Sequence, residues 1–218
     1  MDKLLRQLLR GELPSAQLPA TLELGSLRQD LDRLWDLTVE GDCEWGACIV
    51  LSGDQLRRGH PPVRGDKFYV IPECRVDQHD FYVGFVHTHR LDAESGGPLL
   101  GFSIMDFRCT LYDGDNLSLV RSGEELYALV RTTDCTMPPG THLPLHERWE
   151  WQQRYEEAIA LARSERAEKS ESDALQRRLW MVNRALCEHL GFAFYRGRQA
   201  SPLNLIYRPL PEGRENHE

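Results

Sequence analysis

Apolar positions recur along this chain with two different periods, and the places where the period changes mark its elements. Leu27, Leu31, Leu34 and Trp35 fall three and four apart, which predicts a helix. Ser26 would open it, with Gln29 at the spacing of a capping box. The first residues, MDKLLRQLLRGEL, predict a short amphipathic helix that leads into the Pro-containing linker ELPSAQLPATLELG. Arg6 and Arg10 interrupt that first apolar stretch and no small-residue cleavage site follows, so it reads as a packing helix and not a secretory signal.

The period then shortens. EWGACIVLS, Glu44 to Ser52, is a short apolar run closed by Gly53-Asp54 and predicts a strand. KFYVIP, Lys67 to Pro72, predicts another. FYVGFVH, Phe81 to His87, is apolar at odd and even positions alike, as a central strand covered on both faces would be. The Gly-rich RLDAESGGPLLGF predicts a loop, and Ser103 to Leu111 a short helix with Ile104, Phe107 and Leu111 on one stripe. Asn116 to Val120 and Glu125 to Arg131 predict two strands joined through Ser122-Gly123. Beyond Pro138-Pro139-Gly140 the helical period returns, with Trp151, Tyr155, Ile159 and Ala162 on one face. A polar stretch, SERAEKSES, separates this helix from a second that carries Leu175, Leu179, Val182 and Leu186 and stops at Gly191. Phe192 to Tyr195 and Leu203 to Tyr207 predict a closing pair of strands. The pattern is α/β, a mixed central β-sheet flanked by helices with a helical C-terminal extension. Three stretches follow: an N-terminal helical segment (1–38), a core (39–140) and the extension (141–218).

Composition narrows the classes of function. Of the 218 residues 41% are hydrophobic and 28% charged, enough for a buried core. The net charge of −8 argues against a nucleic-acid duplex or an anionic membrane as partner, and no apolar run is long enough to span a bilayer. Six cysteines, Cys43, Cys48, Cys74, Cys109, Cys135 and Cys187, form no C-x-x-C pair. Together with the absence of a signal-like segment, this predicts reduced, mostly buried thiols and a cytoplasmic protein.

Candidate chemistry lies in VGFVHTHRLDAESGGPLLGFSIMD, Val83 to Asp106. Side chains two apart on a strand share a face, so His87 and His89 can reach one metal ion. A catalytic zinc takes three protein ligands and keeps one position open. Asp106, in the helix that follows, can be the third ligand, and Asp92 is its nearest competitor in sequence. Ser103, three residues before Asp106, projects from the same side of that helix and is also suited to cap it. Other hydrolase patterns are absent. His146-Glu147 starts an H-E-x-x-H that fails at Glu150, and no P-C-x-x-C, G-x-S-x-G or P-loop occurs.

The order Glu44, His87-Thr88-His89, Ser103-Ile104-Met105-Asp106 resembles the signature of the JAB/JAMM (MPN) metalloproteases. In that family a Glu at the start of an apolar strand precedes H-[S/T]-H, a loop and S-x-x-D. The likeness covers roughly residues 40–133 and departs in one respect: the stretch 90–102 is longer than the family's usual spacing. The resemblance implies MPN/JAB layering, akin to that of cytidine deaminases, and Zn2+ on His87, His89 and Asp106. It makes Glu44 the general acid–base and Ser103 an oxyanion donor. It also implies a peptide or isopeptide bond at the C-terminal tail of a ubiquitin-like protein or its conjugate as substrate. A non-catalytic MPN-type scaffold that binds a partner protein, and a DNA-repair-associated JAB-like protein, are the alternatives.

Overall fold

The computed structural model describes residues 2–67, 69–71, 74, 76–91, 101–164, 171–199 and 201–209. Their strands form one mixed sheet: β1 (Thr21–Leu22), β2 (Trp45–Ser52), β3 (Gln55–Arg58), β4 (Val63–Arg64), β5 (Asp80–Thr88), β6 (Leu117–Ser122), β7 (Glu125–Arg131), β8 (Phe192–Arg198) and β9 (Leu203–Tyr207). The order across the sheet is β1-β9-β8-β7-β6-β5-β2-β3, with β4 pairing to β2. Only β5 and β6 run parallel, Gly84 facing Leu117 and Thr88 facing Arg121. They need a crossover, which α3 (Ile104–Asp113) supplies. At Gly84 the two strands touch so closely that a Cβ would lie 2.1 Å from the Leu117 carbonyl oxygen, so no other residue fits without moving β6.

Each face of the sheet buries its own helices. Leu8 and Leu9 of α1 (Lys3–Leu9) and Leu27, Leu31 and Leu34 of α2 (Leu27–Gly41) pack on Ala47, Ile49, Val86, Leu119 and Ala128. On the other face Phe107 and Leu111 of α3 meet Val120, Leu129, Phe192 and Phe194. So do Trp151 and Tyr155 of α4 (Leu145–Ser164) and Leu186 and Leu190 of α5 (Glu171–Leu190). At about 2 kcal/mol for each such side chain, this burial is what holds the layers together. The sheet draws strands from all three stretches of the chain, since β7 pairs with β8 and β9 with β1. No described helix is long and apolar enough to cross a membrane.

Several expectations are corrected. The described residues of Lys67–Pro72 form no strand. Asp66 and Tyr69 instead close a turn, Asp66 N–H to Tyr69 C=O at 3.0 Å and Tyr69 N–H to Asp66 Oδ1 at 3.0 Å. Ser26 does not cap α2 with its side chain; its hydroxyl donates to the Leu56 carbonyl at 3.1 Å, which ties the helix to β3. Trp149, an aromatic residue expected to add large burial with Trp151 and Trp180, is instead 65% exposed, on the outer side of α4.

The cysteines are not all reduced: Cys48 and Cys74 form a disulfide. Cys48 points from β2 toward the chain that returns after β4, and the two Cα atoms lie 5.5 Å apart, within bridging range. With a sequence separation of 26 between the cysteines, loop-closure entropy makes the bond worth about 3.5 kcal/mol. In urea melts Cys74→Ser should therefore match the wild type in dithiothreitol and fall below it by that amount in air. Equal midpoints in air would show that the bond contributes nothing.

A second expectation concerns pH. Asp115, fully buried after α3, accepts hydrogen bonds from the Tyr82 hydroxyl at 2.5 Å and the Ser118 hydroxyl at 3.0 Å. Burial pushes its carboxyl from the ordinary 3.8 up to about 7, against the pull of those two donors. The folded state thus holds a proton that the unfolded chain releases near pH 4. The stabilisation is complete below that pH and is lost as pH climbs toward 7. Asp115→Asn should flatten the fall in urea midpoint between pH 5 and pH 8; an unchanged slope would assign it to another group.

Candidate metal centre

β5 delivers both histidines. Its residues 83–88 are buried, and Phe85, His87 and His89 share the face turned toward α3. The Phe85 and His87 rings stack at 5.1 Å, and the Nε2 atoms of His87 and His89 converge to 3.0 Å. His89 lies just past the strand, where its backbone N–H still bonds the Arg121 carbonyl at 2.8 Å. The pair therefore stands at the carboxyl end of a parallel strand, the usual place for a crevice in such sheets.

Asp106 comes from the first turn of α3. Ser103 caps that helix in both directions: its hydroxyl accepts from Asp106 N–H at 3.2 Å, and its own N–H donates to Asp106 Oδ2 at 2.6 Å. The carboxylate is thereby aimed at the histidines, with Oδ1 at 3.1 Å from His87 Nε2 and Oδ2 at 3.4 Å from His89 Nε2. The structure thus brings His87, His89 and Asp106 together, with Ser103 beside them, and these three groups could hold a metal ion. Asp92 lies outside the described residues.

The spacing suits an ion. Ligand atoms at 2.0–2.2 Å from a tetrahedral centre stand about 3.3–3.6 Å from one another, and the observed 3.0, 3.1 and 3.4 Å come within a few tenths. Two imidazole nitrogens 3.0 Å apart are reconciled either by one ring's N–H donating to the other's lone pair or by a cation that accepts both lone pairs.

Charge follows the geometry. Burial lowers the His87 pKa, with the Asp106 charge opposing it, so the ring is held neutral, as a ligand must be. Burial also pulls on His89, but the hydrogen bond and charge of Asp106 and the charge of Glu44 outweigh it and leave the ring raised. For Asp106 the penalty of burial is overcome by the charge of His87 and the hydrogen bonds to both rings, so the carboxyl stays ionised well below its usual range.

Glu44 sits just before β2, 6% exposed. Even-numbered residues here face the metal side, while Trp45, Ala47 and Ile49 turn to the α2 core. Burial raises the Glu44 carboxyl to about 7; the charges of Asp106 and Asp66 add to this and those of His89 and Arg90 oppose it. Its backbone is pinned on both sides, N–H to the Asp66 carbonyl at 2.7 Å and C=O to the Gly65 N–H at 2.8 Å. Gly46, two residues on, pairs with His87 and leaves room for the Val70 side chain, which a Cβ would meet at 2.9 Å.

Two sets of supporting residues carry no pattern in the sequence. Thr88, between the two histidines, points to the opposite face and is fully buried. It accepts from Trp45 N–H at 3.0 Å and shares a hydrogen bond with Thr38, whose hydroxyl reaches the Leu34 carbonyl at 3.0 Å. That chain ties the residue after Glu44 to the histidine strand and to α2. On the other side Asn183 and Tyr155 hold Phe102, the residue before Ser103. Only the His-x-His spacing and the Ser-x-x-Asp cap are visible as local signals, with Glu44 placed by the motif order; nothing in the sequence marks Thr38, Thr88, Tyr155 or Asn183 for this role.

No protein-family model, no curated protein and no solved structure matches the chain.

Proposed function

We propose that this chain is a zinc-dependent hydrolase of the JAB/JAMM kind. It would cut a peptide or isopeptide bond at the C-terminal tail of a ubiquitin-like protein, in a conjugate or a precursor. The observation that carries the reading is the meeting of His87, His89 and Asp106, with a buried Glu44 whose carboxyl is held near neutrality beside them. Zn2+ held by His87, His89 and Asp106 would supply Lewis acidity, which polarises a carbonyl and lowers the pKa of water toward neutrality.

The chain's own groups do the rest. Glu44, titrating near 7, takes the proton from the attacking water as the new C–O bond forms. It then returns that proton to the leaving nitrogen as the C–N bond breaks. The Ser103 hydroxyl accepts from Asp106 N–H, which leaves its own proton for the developing oxyanion. His87 is fixed by the β5–β6 ladder and His89 by its backbone bond to Arg121, and both rings would be neutral as ligands of the ion. The choice of a ubiquitin-like tail rests on the motif order; an extended tail of small residues is what a narrow groove beside a strand end would accept.

The test is cleavage of a ubiquitin-like protein carrying a short C-terminal fusion by the zinc-loaded chain. Release at the tail, abolished by a chelator and restored by zinc, is expected. An intact fusion after prolonged incubation with fully loaded protein would refute the substrate.

A further inference from the structure

The helical stretch after residue 140 has no counterpart in the motif, yet it reaches the metal centre. Asn183 lies in α5 and is 1% exposed. A buried amide costs free energy unless its polar atoms are partnered. Here Oδ1 accepts the Phe102 N–H at 2.7 Å, and Nδ2 donates to the Phe102 carbonyl at 2.9 Å and to the Tyr155 hydroxyl oxygen at 2.6 Å. Tyr155, from α4, donates its own proton to the same carbonyl at 2.7 Å. Two side chains from two helices thus grip both polar groups of one backbone residue. Gly101, at φ 67°, passes so close that a Cβ would stand 2.3 Å from Asn183 Oδ1. A leucine at 183 would fill similar volume; it could not fix the register of the backbone at 101–103.

We propose that Asn183 and Tyr155 are positioning residues for the metal centre. By holding Phe102 they set where α3 begins, and through the Ser103–Asp106 cap they set the direction of the Asp106 carboxylate and the Ser103 hydroxyl. This rests on the zinc reading above. The two histidines need no such device, because β2 and β6 flank the end of β5 that carries His87 and the His89 N–H bonds the Arg121 carbonyl. The third ligand comes from a different element, and its placement relative to β5 is only as good as the anchor at the head of α3. The α4–α5 pair is therefore a part of the ligand set's support, in the way hydrogen-bonded neighbours support ligands at other metal sites.

The experiment is zinc affinity by chelator competition on the full chain, read well below each variant's melting temperature. Tyr155→Phe removes one hydroxyl and keeps the ring; Asn183→Leu removes the grip. Both should stay folded by circular dichroism and bind zinc about 10- to 100-fold more weakly than the wild type, the loss typical of a missing supporting hydrogen bond. Trp149→Ala, on the exposed side of α4, should bind as the wild type does. Asn183→Leu combined with Ser103→Ala should lose less than the sum of the two separate free-energy changes, since both act on one carboxylate. If Asn183→Leu does not fold, Tyr155→Phe decides alone. Wild-type affinity in folded Tyr155→Phe and Asn183→Leu would overturn this proposal and leave the hydrolase standing. A wild-type chain that takes up no zinc would remove both.

Discussion

Glu44→Gln should bind zinc as the wild type does and cleave the fusion about 100- to 10,000-fold more slowly, the range expected when a general acid–base is lost. The amide keeps the shape and the burial of the carboxyl, so the backbone bonds to Asp66 and Gly65 survive. What it loses is the capacity to take a proton. KM should change little and kcat should carry the loss, because the group acts on the reacting atoms. The wild type should also show an acid limb. Glu44 must be ionised to act, and its carboxyl titrates near 7 because it is buried. A cation on His87, His89 and Asp106 would draw that proton off more easily, so the limb falls at or below 7, and rate rises as pH increases through it. A Glu44→Gln protein with undiminished turnover, or a wild-type rate flat from pH 5 to 8, would take the base role away from this residue.

The second large effect concerns the ligands. His89→Ala should reduce zinc from about one equivalent to a trace, a loss of affinity greater than the roughly 100-fold that follows removal of a mere supporting group. Two ligands remain, His87 and Asp106, and two cannot define a tetrahedral site. The protein should still fold. His89 lies past the end of β5, and its backbone bond to Arg121 does not involve the ring. Atomic absorption of the purified variant, with circular dichroism as the control for folding, reads both. Full zinc retention by a folded His89→Ala would move the ion to other residues and end the assignment.

Legibility in the sequence followed the range of the interactions. The continuous apolar run before His87 and the Ser103 cap are local signals, and both are readable because a short buried strand and a helix cap are each specified within a few residues. Their meeting is non-local, yet it follows from the connection: a strand, a crossover and a parallel partner return the helix head to the strand's end. The Cys48–Cys74 bond could not be read, because nothing in either segment marks which cysteine the returning chain will meet. Val63–Arg64 and Thr21–Leu22 are strands only through their partners on β2 and β9, too short to show a period. Lys67–Pro72 has the composition of a strand, but its described residues form none; Asp66 offers its side chain to the local backbone at Tyr69 instead. Asn183 was invisible for a further reason. A single amide on an otherwise apolar helix face resembles a surface residue until the backbone it grips is known.

The pairing of β7 with β8 bears on how this molecule can be shortened. Residues up to Gly140 contain every atom assigned to the chemistry, and a protein cut there would look sufficient on paper. It would also uncover Glu125–Arg131, seven residues all buried in the intact chain, as a bare margin of open amides and carbonyls with apolar side chains on both sides. Such a margin is an adhesive template for other copies. A truncated protein of this kind should be recovered as aggregate, its failure owing nothing to the metal ligands it still carries.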